Sequence, residues 1–225
     1  MARLLYLTDA TPFCVRTALR HIHLCNQTKG CEQFGTTILP VCRNLQDKRK
    51  ISDDADEKCS FSLDLVHLRE REVDDTIRSG FNKCKDYDNE HAGENVLNAV
   101  FPTRTFSEFV SLPYVKKPAE AKLIAQRFEH LGATHALYPQ TTLLGDRTTS
   151  LEQALVADKT AKDALKKATG DEGIARTELM HAYENNYLDA RKFLGNKQVE
   201  KIFPVINHNN GDDETDPPAA NPPKA

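Results

Sequence analysis

Three side chains that can bind a metal ion follow one another closely in the sequence: Cys84, Asp88 and His91. They are four and three residues apart, so on an α-helix they share one face. A thiolate, a carboxylate and an imidazole on one face suit zinc or a similar divalent ion, with a fourth residue or water completing the site. The sequence therefore contains a candidate metal site at these positions. The alternative is a polar helix end that lies in water.

His21 and Cys25 form a second candidate pair, because a spacing of four also suits two ligands on one helix. His23 and Cys31 lie nearby. A pair at this spacing is common by chance, so we favour a half-buried helix face. A cysteine–histidine nucleophile pair stays open as an alternative, since catalytic residues meet in space rather than along the chain.

Helical bundles hold metal ions through carboxylate-x-x-histidine pairs that project inward. The chain has three such pairs: Asp64 with His67, Asp88 with His91, and Glu178 with His181. Only Asp88 and His91 follow an apolar stripe, which runs through Val73, Ile77 and Phe81. The other two pairs lie beside or opposite the apolar faces of their helices. We therefore restrict the metal hypothesis to Cys84, Asp88 and His91.

The familiar catalytic motifs are missing from the sequence. There is no Gly-x-Ser-x-Gly, no phosphate-binding Walker loop, no dinucleotide fingerprint and no His-Glu-x-x-His. We therefore predict no catalytic residue and no cofactor-binding residue, and we expect that the protein is not an enzyme. A zinc-like divalent ion is the one alternative cofactor.

The six cysteines, at positions 14, 25, 31, 42, 59 and 84, contain no Cys-x-x-Cys pair. Such pairs are the usual signature of zinc ribbons and thioredoxin-like redox sites. We interpret these cysteines as reduced, small apolar side chains of a cytoplasmic protein.

The charges indicate what kinds of partner to expect. The chain has 225 residues with 30 basic and 33 acidic side chains, a net charge of −3. The last residues, from Asp212 to Ala225, carry that whole excess, which leaves the rest neutral. Nucleic-acid binding needs a clustered basic face, so a nucleic-acid partner is disfavoured. No apolar run is long enough to span a membrane, and the first residues lack the apolar core of a signal peptide.

The fold class follows from apolar residues spaced three and four apart, which is typical of α-helices. This spacing predicts long helices over 72–92, 118–131, 150–168 and 174–194. Pro118 suits the first helical position and Gly132 suits the residue after the last. The sequence Gly170-Asp171-Glu172-Gly173 predicts a turn. Earlier in the chain, Phe61, Leu65 and Leu68 share one helix face. The protein is therefore predicted to be all-α.

The sequence also resembles itself at a shift of 102 residues, where Val100-Phe101-Pro102 falls on Ile202-Phe203-Pro204. We interpret this as an internal duplication, with repeat 1 over 1–102 and repeat 2 over 103–204, packed together as one domain. Each repeat would form a helical hairpin, and the two hairpins would make an antiparallel four-helix core with shorter flanking helices. The alternative is chance agreement between amphipathic helices. The remaining residues, 205–225, are acidic and proline-rich, which predicts a disordered tail.

These observations favour a non-catalytic structural or protein-interaction role for a helical bundle. A protein partner is expected, and self-association is one form that this can take. The alternative is a metal-binding or redox-responsive bundle that uses Cys84, Asp88 and His91. An interaction module should leave an apolar strip uncovered after folding, and Leu188 and Val66 are the sequence candidates for it.

Overall fold

The computed structural model describes residues 4–6, 8–102 and 105–204. Over these residues the chain contains helices and no strand, which confirms the all-α prediction. The helices, in chain order, are α1 (Thr11–Gln27), α2 (Glu32–Glu90), α3 (Val96–Val100), α4 (Phe106–Val110), α5 (Lys117–His130), α6 (Pro139–Leu194) and α7 (Asn196–Ile202).

The predicted helix over 118–131 is confirmed as α5, within one residue at each end. Pro118 lies in its first turn, where a missing N–H costs nothing. Gly132 follows the helix with a φ of 93°, a left-handed conformation that glycine adopts without strain. Gly195 does the same between α6 and α7, with a φ of 77°.

The predicted turn at Gly170–Gly173 is wrong, because these residues lie inside α6. The two hairpins are likewise replaced by two continuous helices, α2 with 59 residues and α6 with 56. A glycine inside a helix costs only about 1 kcal/mol relative to alanine, and the alanines and lysines on either side favour helix. α2 also continues through Pro40, whose ring is exposed.

The chain divides into two compact units. Unit 1 comprises the described residues up to Lys50 and from Gly170 onward, so it contains α1, α7, the start of α2 and the end of α6. Its core is built from small thiols and larger apolar side chains, among them Cys14, Ala18, Cys25, Phe34, Ile38, Leu179, Tyr183, Ile202 and Phe203. In α1 the buried positions recur at spacings of three and four, as expected of an amphipathic helix.

Unit 2 comprises the described residues from 51 to 169, which include α3, α4 and α5 together with the remaining parts of the long helices. Its buried core includes Val66, Val73, Ile77, Cys84, Val100, Phe109, Ile124, Phe128, Leu144 and Leu151. Within the stripe that the sequence indicates, Val73, Ile77 and Cys84 are buried, whereas Phe81 is half-buried and His91 is exposed. Each unit has its own continuous core, and each core contains residues of both predicted repeats.

Two further expectations concern the end of the chain and the absence of a membrane-spanning helix. The tail that the sequence predicts over 205–225 lies outside the described residues. Among the described helices, none combines the length and the apolar character that crossing a membrane requires.

Candidate functional site

The structure places Cys84 and Asp88 in different surroundings. Cys84 is fully buried in unit 2, and this burial, with the nearby Asp88 charge, raises the pKa of its thiol to about 12. Asp88 accepts backbone hydrogen bonds from the N–H groups of Val96 and Leu97 at 2.8 and 2.9 Å. These are the first two residues of α3, whose free N–H groups need acceptors. Asp88 therefore holds the start of α3.

His91, the third predicted ligand, is exposed. Its ring stacks on Tyr87 with a centroid separation of 4.0 Å, and its Nδ1 lies 3.0 Å from the Tyr87 carbonyl oxygen. Within the described part of the chain, no three His, Cys, Asp or Glu side chains are grouped in a way that could hold a metal ion. The metal hypothesis for Cys84, Asp88 and His91 stays a prediction, and Asp88 has a structural contact that the sequence did not indicate.

His21 is fully buried in unit 1 and is hydrogen-bonded on both sides of its ring. Its Nδ1 lies 2.7 Å from the carbonyl oxygen of Ile202, and its Nε2 lies 2.9 Å from Nδ2 of Asn186. The same Asn186 nitrogen donates to the carbonyl of Phe34 at 2.9 Å. Because an amide NH₂ only donates, Nε2 of His21 must be the acceptor and Nδ1 the donor. The ring is therefore a neutral imidazole of one defined tautomer.

Cys25 lies beside His21, with 3.6 Å between its Sγ and Nε2 of the ring. The structure thus brings together the pair that the sequence spacing suggested. However, burial, with the nearby Cys31, raises the pKa of the Cys25 thiol to about 12, and the side chain is fully buried. A nucleophilic cysteine must be a reachable thiolate. The pair is therefore a packed structural contact, and Phe203 completes it by stacking on His21 at 4.0 Å.

A cluster of charged side chains lies in unit 2 around Lys117, which is 1% exposed. Its Nζ lies 2.8 and 2.9 Å from the two carboxylate oxygens of Asp74 and 2.8 Å from Oε1 of Glu70. The ring of Phe109 covers the ammonium group, with 5.9 Å to the ring centroid. Lys117 is thus fully paired, which a buried ammonium group requires. Sequence spacing does not reveal this cluster, because the adjacent lysines Lys116 and Lys117 look like an ordinary surface charge run.

The two carboxylates around Lys117 differ in their response to burial. Burial acts to raise the pKa of Glu70, but the hydrogen bonds from Lys117 and His67 outweigh it and hold the pKa below its usual range. Asp74 is more deeply buried, and burial raises its pKa despite the contact with Lys117. The cluster joins the first residue of α5 to two carboxylates of α2, so its role is to fix the start of α5 on α2.

An exposed surface of unit 2 lies along α2 and α6, which run side by side. A groove of about 650 Å³ lies between Ile51, Asp54, Ala55 and Lys58 of α2 and a row of small residues of α6, Ala157, Thr160, Ala161, Ala164 and Ala168. On α2 the apolar side chains continue beyond the groove, where Phe61 is 63% exposed and Leu65 39%. We call the groove together with Phe61 and Leu65 the α2–α6 flank.

Behind the α2–α6 flank, polar side chains connect α2 to α6. The hydroxyl of Ser62 donates to the carboxylate of Asp158 at 3.2 Å, and the hydroxyls of Ser52 and Thr169 are 3.5 Å apart. Val66 lies on this inner side and is fully buried, so the prediction that it forms an exposed strip is wrong. Leu188, the other sequence candidate, is 43% exposed in unit 1, as predicted.

Comparison with known proteins gives no relative from which a role could be transferred. No family model, no curated protein and no solved structure matches the chain. A proposal about function therefore rests on the chain's own residues, and the α2–α6 flank is one feature that packing inside the described units does not explain.

Proposed function

We propose that this chain is a non-catalytic helical interaction module whose docking face is the α2–α6 flank. One observation carries the proposal: the large apolar side chains of Phe61 and Leu65 remain exposed on α2 beside a mostly apolar groove. Exposed apolar side chains that are clustered, rather than scattered singly, are typical of interaction sites. The buried cysteine–histidine pair and the fully paired Lys117 cluster add no reactive group.

The occupant we propose for the flank is an α-helix with apolar residues spaced three and four apart. A groove between two paired helices has the direction and width that a third helix needs when it packs along them. The alanines on α6 have small side chains, so the backbone of a third helix can approach α6 closely. Asp54 and Lys58 at the groove require charged groups on the occupant as well.

We also propose that the chain arose by duplication of a short–long–short helical unit, with a four-helix arrangement in each compact unit. In support, α1, α2 and α3 have 17, 59 and 5 residues, and α5, α6 and α7 have 14, 56 and 7. The contacts match as well, since α1 packs on α7 and α5 packs on α3. Each unit would then combine the short helix of one repeat with the end of the other.

Individual side chains support the same 102-residue shift. Tyr183 packs edge-on against Phe203 with 5.2 Å between ring centroids, and Phe81 packs against Phe101 with the same separation. The carbonyls that precede these phenylalanines also match, because Ile202 accepts a hydrogen bond from His21 of α1 and Val100 accepts one from Arg127 of α5. Equivalent positions thus make equivalent contacts in the two units.

The docking proposal can be tested with a fluorescein-labelled amphipathic helix of about five turns, with leucine at the apolar heptad positions and lysine and glutamate elsewhere. Fluorescence anisotropy should show saturable binding to the full chain. Phe61→Glu and Ala161→Glu should each weaken this binding at least about tenfold, since they place a charge in the groove or beside it.

The matched control is Leu123→Glu, which changes another exposed leucine of unit 2 outside the flank. It should leave the anisotropy curve unchanged. A probe in which glutamine replaces the leucines should not bind. If Phe61→Glu binds the leucine probe as the unchanged chain does, or if the leucine probe does not bind, the docking face is not the α2–α6 flank.

A further inference from the structure

We infer that the helix received by the α2–α6 flank is α2 of a second copy of this chain, in an antiparallel two-fold arrangement. The inference rests on the proposed docking function and names its partner. It is carried by a symmetry in part of the flank: four of its α2 residues and four of its α6 residues are symmetric in spacing when the helix direction is reversed.

The symmetry is clearest on α2. Ile51, Asp54, Lys58 and Phe61 are spaced three, four and three residues apart, so the midpoint of Asp54 and Lys58 is also the midpoint of Ile51 and Phe61. Two such helices crossing antiparallel at that midpoint bring Ile51 of each copy against Phe61 of the other. A two-fold contact needs a self-complementary surface of this kind.

The charges are complementary in the same arrangement. Asp54 of each copy faces Lys58 of the other, which gives two opposite-charge pairs at the centre of the contact. Shifting the second helix by one heptad in one direction sets Lys58 against Phe61, and in the other direction sets Asp54 against Ile51. Charge pairing therefore favours this register over both one-heptad shifts, as charged residues do in antiparallel helix pairs.

The row on α6 has the same property. Ala157, Ala161, Ala164 and Ala168 are spaced four, three and four residues apart, so the two inner and the two outer alanines share a midpoint. The Ser62–Asp158 and Ser52–Thr169 contacts bracket both midpoints, the one on α2 and the one on α6. The two midpoints therefore lie at nearly the same height along the helix pair, so one two-fold axis can relate both α2 and α6 to their copies. The result is a four-helix contact in which Phe61 and Ile51 side chains cover the alanine-lined grooves.

Analytical ultracentrifugation of the full chain over about 5 to 500 µM tests the inference, because the fraction of a dimer joined through this flank must rise with the concentration of the chain. Lys58→Asp and Asp54→Lys should each raise the dimer dissociation constant by about tenfold or more, since each sets like charges face to face. The double variant Asp54→Lys with Lys58→Asp should restore the original dissociation constant. Lys83→Asp, an exposed charge change elsewhere on α2, is the control and should have no effect.

Circular dichroism of each variant checks that the helices are intact. A chain that stays monomeric over the whole concentration range overturns the inference. A dimer whose dissociation constant is unchanged by the single charge reversals, or is not restored by the double variant, overturns it as well. The leucine probe separates this result from the docking function. If the chain is monomeric and still binds the probe through Phe61, docking stands and the second copy is the wrong partner.

Discussion

Asn186 donates a hydrogen bond of 2.9 Å to Nε2 of His21, although the two residues are 165 positions apart in the chain. The second hydrogen of the same amide group goes to the carbonyl of Phe34. On the other side of the ring, Nδ1 donates to Ile202. Four segments of unit 1 are therefore joined through the His21 imidazole and the Asn186 amide. The imidazole must be neutral to make these bonds.

The neutrality of His21 predicts a loss of stability in acid. Burial lowers the pKa of His21 from 6.5 to about 4, and the hydrogen bond to Ile202 opposes this only in part. Between these pH values the unfolded chain binds a proton that the folded chain does not. The free energy of unfolding should therefore fall as the pH drops through this window, by about 3 kcal/mol in total.

Urea denaturation between pH 7 and 4 measures how steeply the free energy of unfolding changes with pH. NMR of the imidazole nitrogens measures the titration of His21 itself. His21→Leu should make the free energy of unfolding less dependent on pH in this range. His130→Gln, a change at an exposed histidine, should leave the pH dependence unchanged. A His21 ring that titrates near pH 6.5, or that carries its proton on Nε2, would contradict the description of this cluster.

The Lys117 cluster predicts a large difference between two lysine substitutions. Lys117→Met leaves the half-buried carboxylates of Asp74 and Glu70 without the buried cation that pairs with them, which should lower the free energy of unfolding by about 3 kcal/mol at neutral pH. The loss should become smaller as the pH falls toward 4.5, because the stranded carboxylates can then take up protons.

Lys122→Met is the matched control for Lys117→Met. Lys122 pairs with Glu152 at 2.6 Å, but both side chains are largely exposed. Such a pair contributes less than about 1 kcal/mol, so urea denaturation should show little change. Equal effects of the two substitutions would mean that Lys117 is not buried in a paired cluster.

Asp88 offers a test that separates capping from metal binding. Asp88→Ala removes both acceptors of the α3 N–H groups, which should lower the free energy of unfolding by about 1 to 2 kcal/mol. Asp86→Ala, on the exposed side of α2, should have almost no effect. Metal content measured on protein purified without chelators should be the same in both variants if Asp88 acts only as a cap. A metal ion that is lost with Asp88→Ala, Cys84→Ala and His91→Ala would instead establish the metal site.

The continuous course of α6 predicts the effect of an alanine at Gly170. A Cβ atom added there meets no atom within 4 Å, and the residue is helical, so Gly170→Ala should raise the free energy of unfolding by up to about 1 kcal/mol. Gly195→Ala should have the opposite effect, because its φ of 77° strains any residue with a side chain. Thermal denaturation measures both. Destabilisation by Gly170→Ala would indicate a turn at that position.

Much of the helical pattern could be predicted from the sequence. Leu179, Tyr183 and Ala190 form a stripe at helical spacing, and all three are fully buried. Phe61, Leu65 and Leu68 have the same kind of spacing and are exposed. Periodicity shows which side of a helix is apolar, but it does not show whether the same chain supplies an element to cover that side.

The buried polar contacts could not be predicted, because nothing in one sequence marks which distant residues will meet. Lys117 and Asp74 are 43 positions apart, and each looks like an ordinary surface charge. The turn predicted at Gly170–Gly173 was wrong for a related reason. A local glycine penalty of about 1 kcal/mol is small beside the helical preference and packing of a 56-residue helix.

The most direct test of the α2–α6 flank is hydrogen–deuterium exchange of the full chain at about 5 and 500 µM, and again at the lower concentration with the leucine probe. Concentrating the chain should slow backbone exchange in residues 51–66 and 154–169, and the probe should slow it in the same segments. Phe61→Glu should abolish both effects. Exchange that is unchanged in these segments under both conditions, or that slows only elsewhere, would contradict the account of the flank as a docking face.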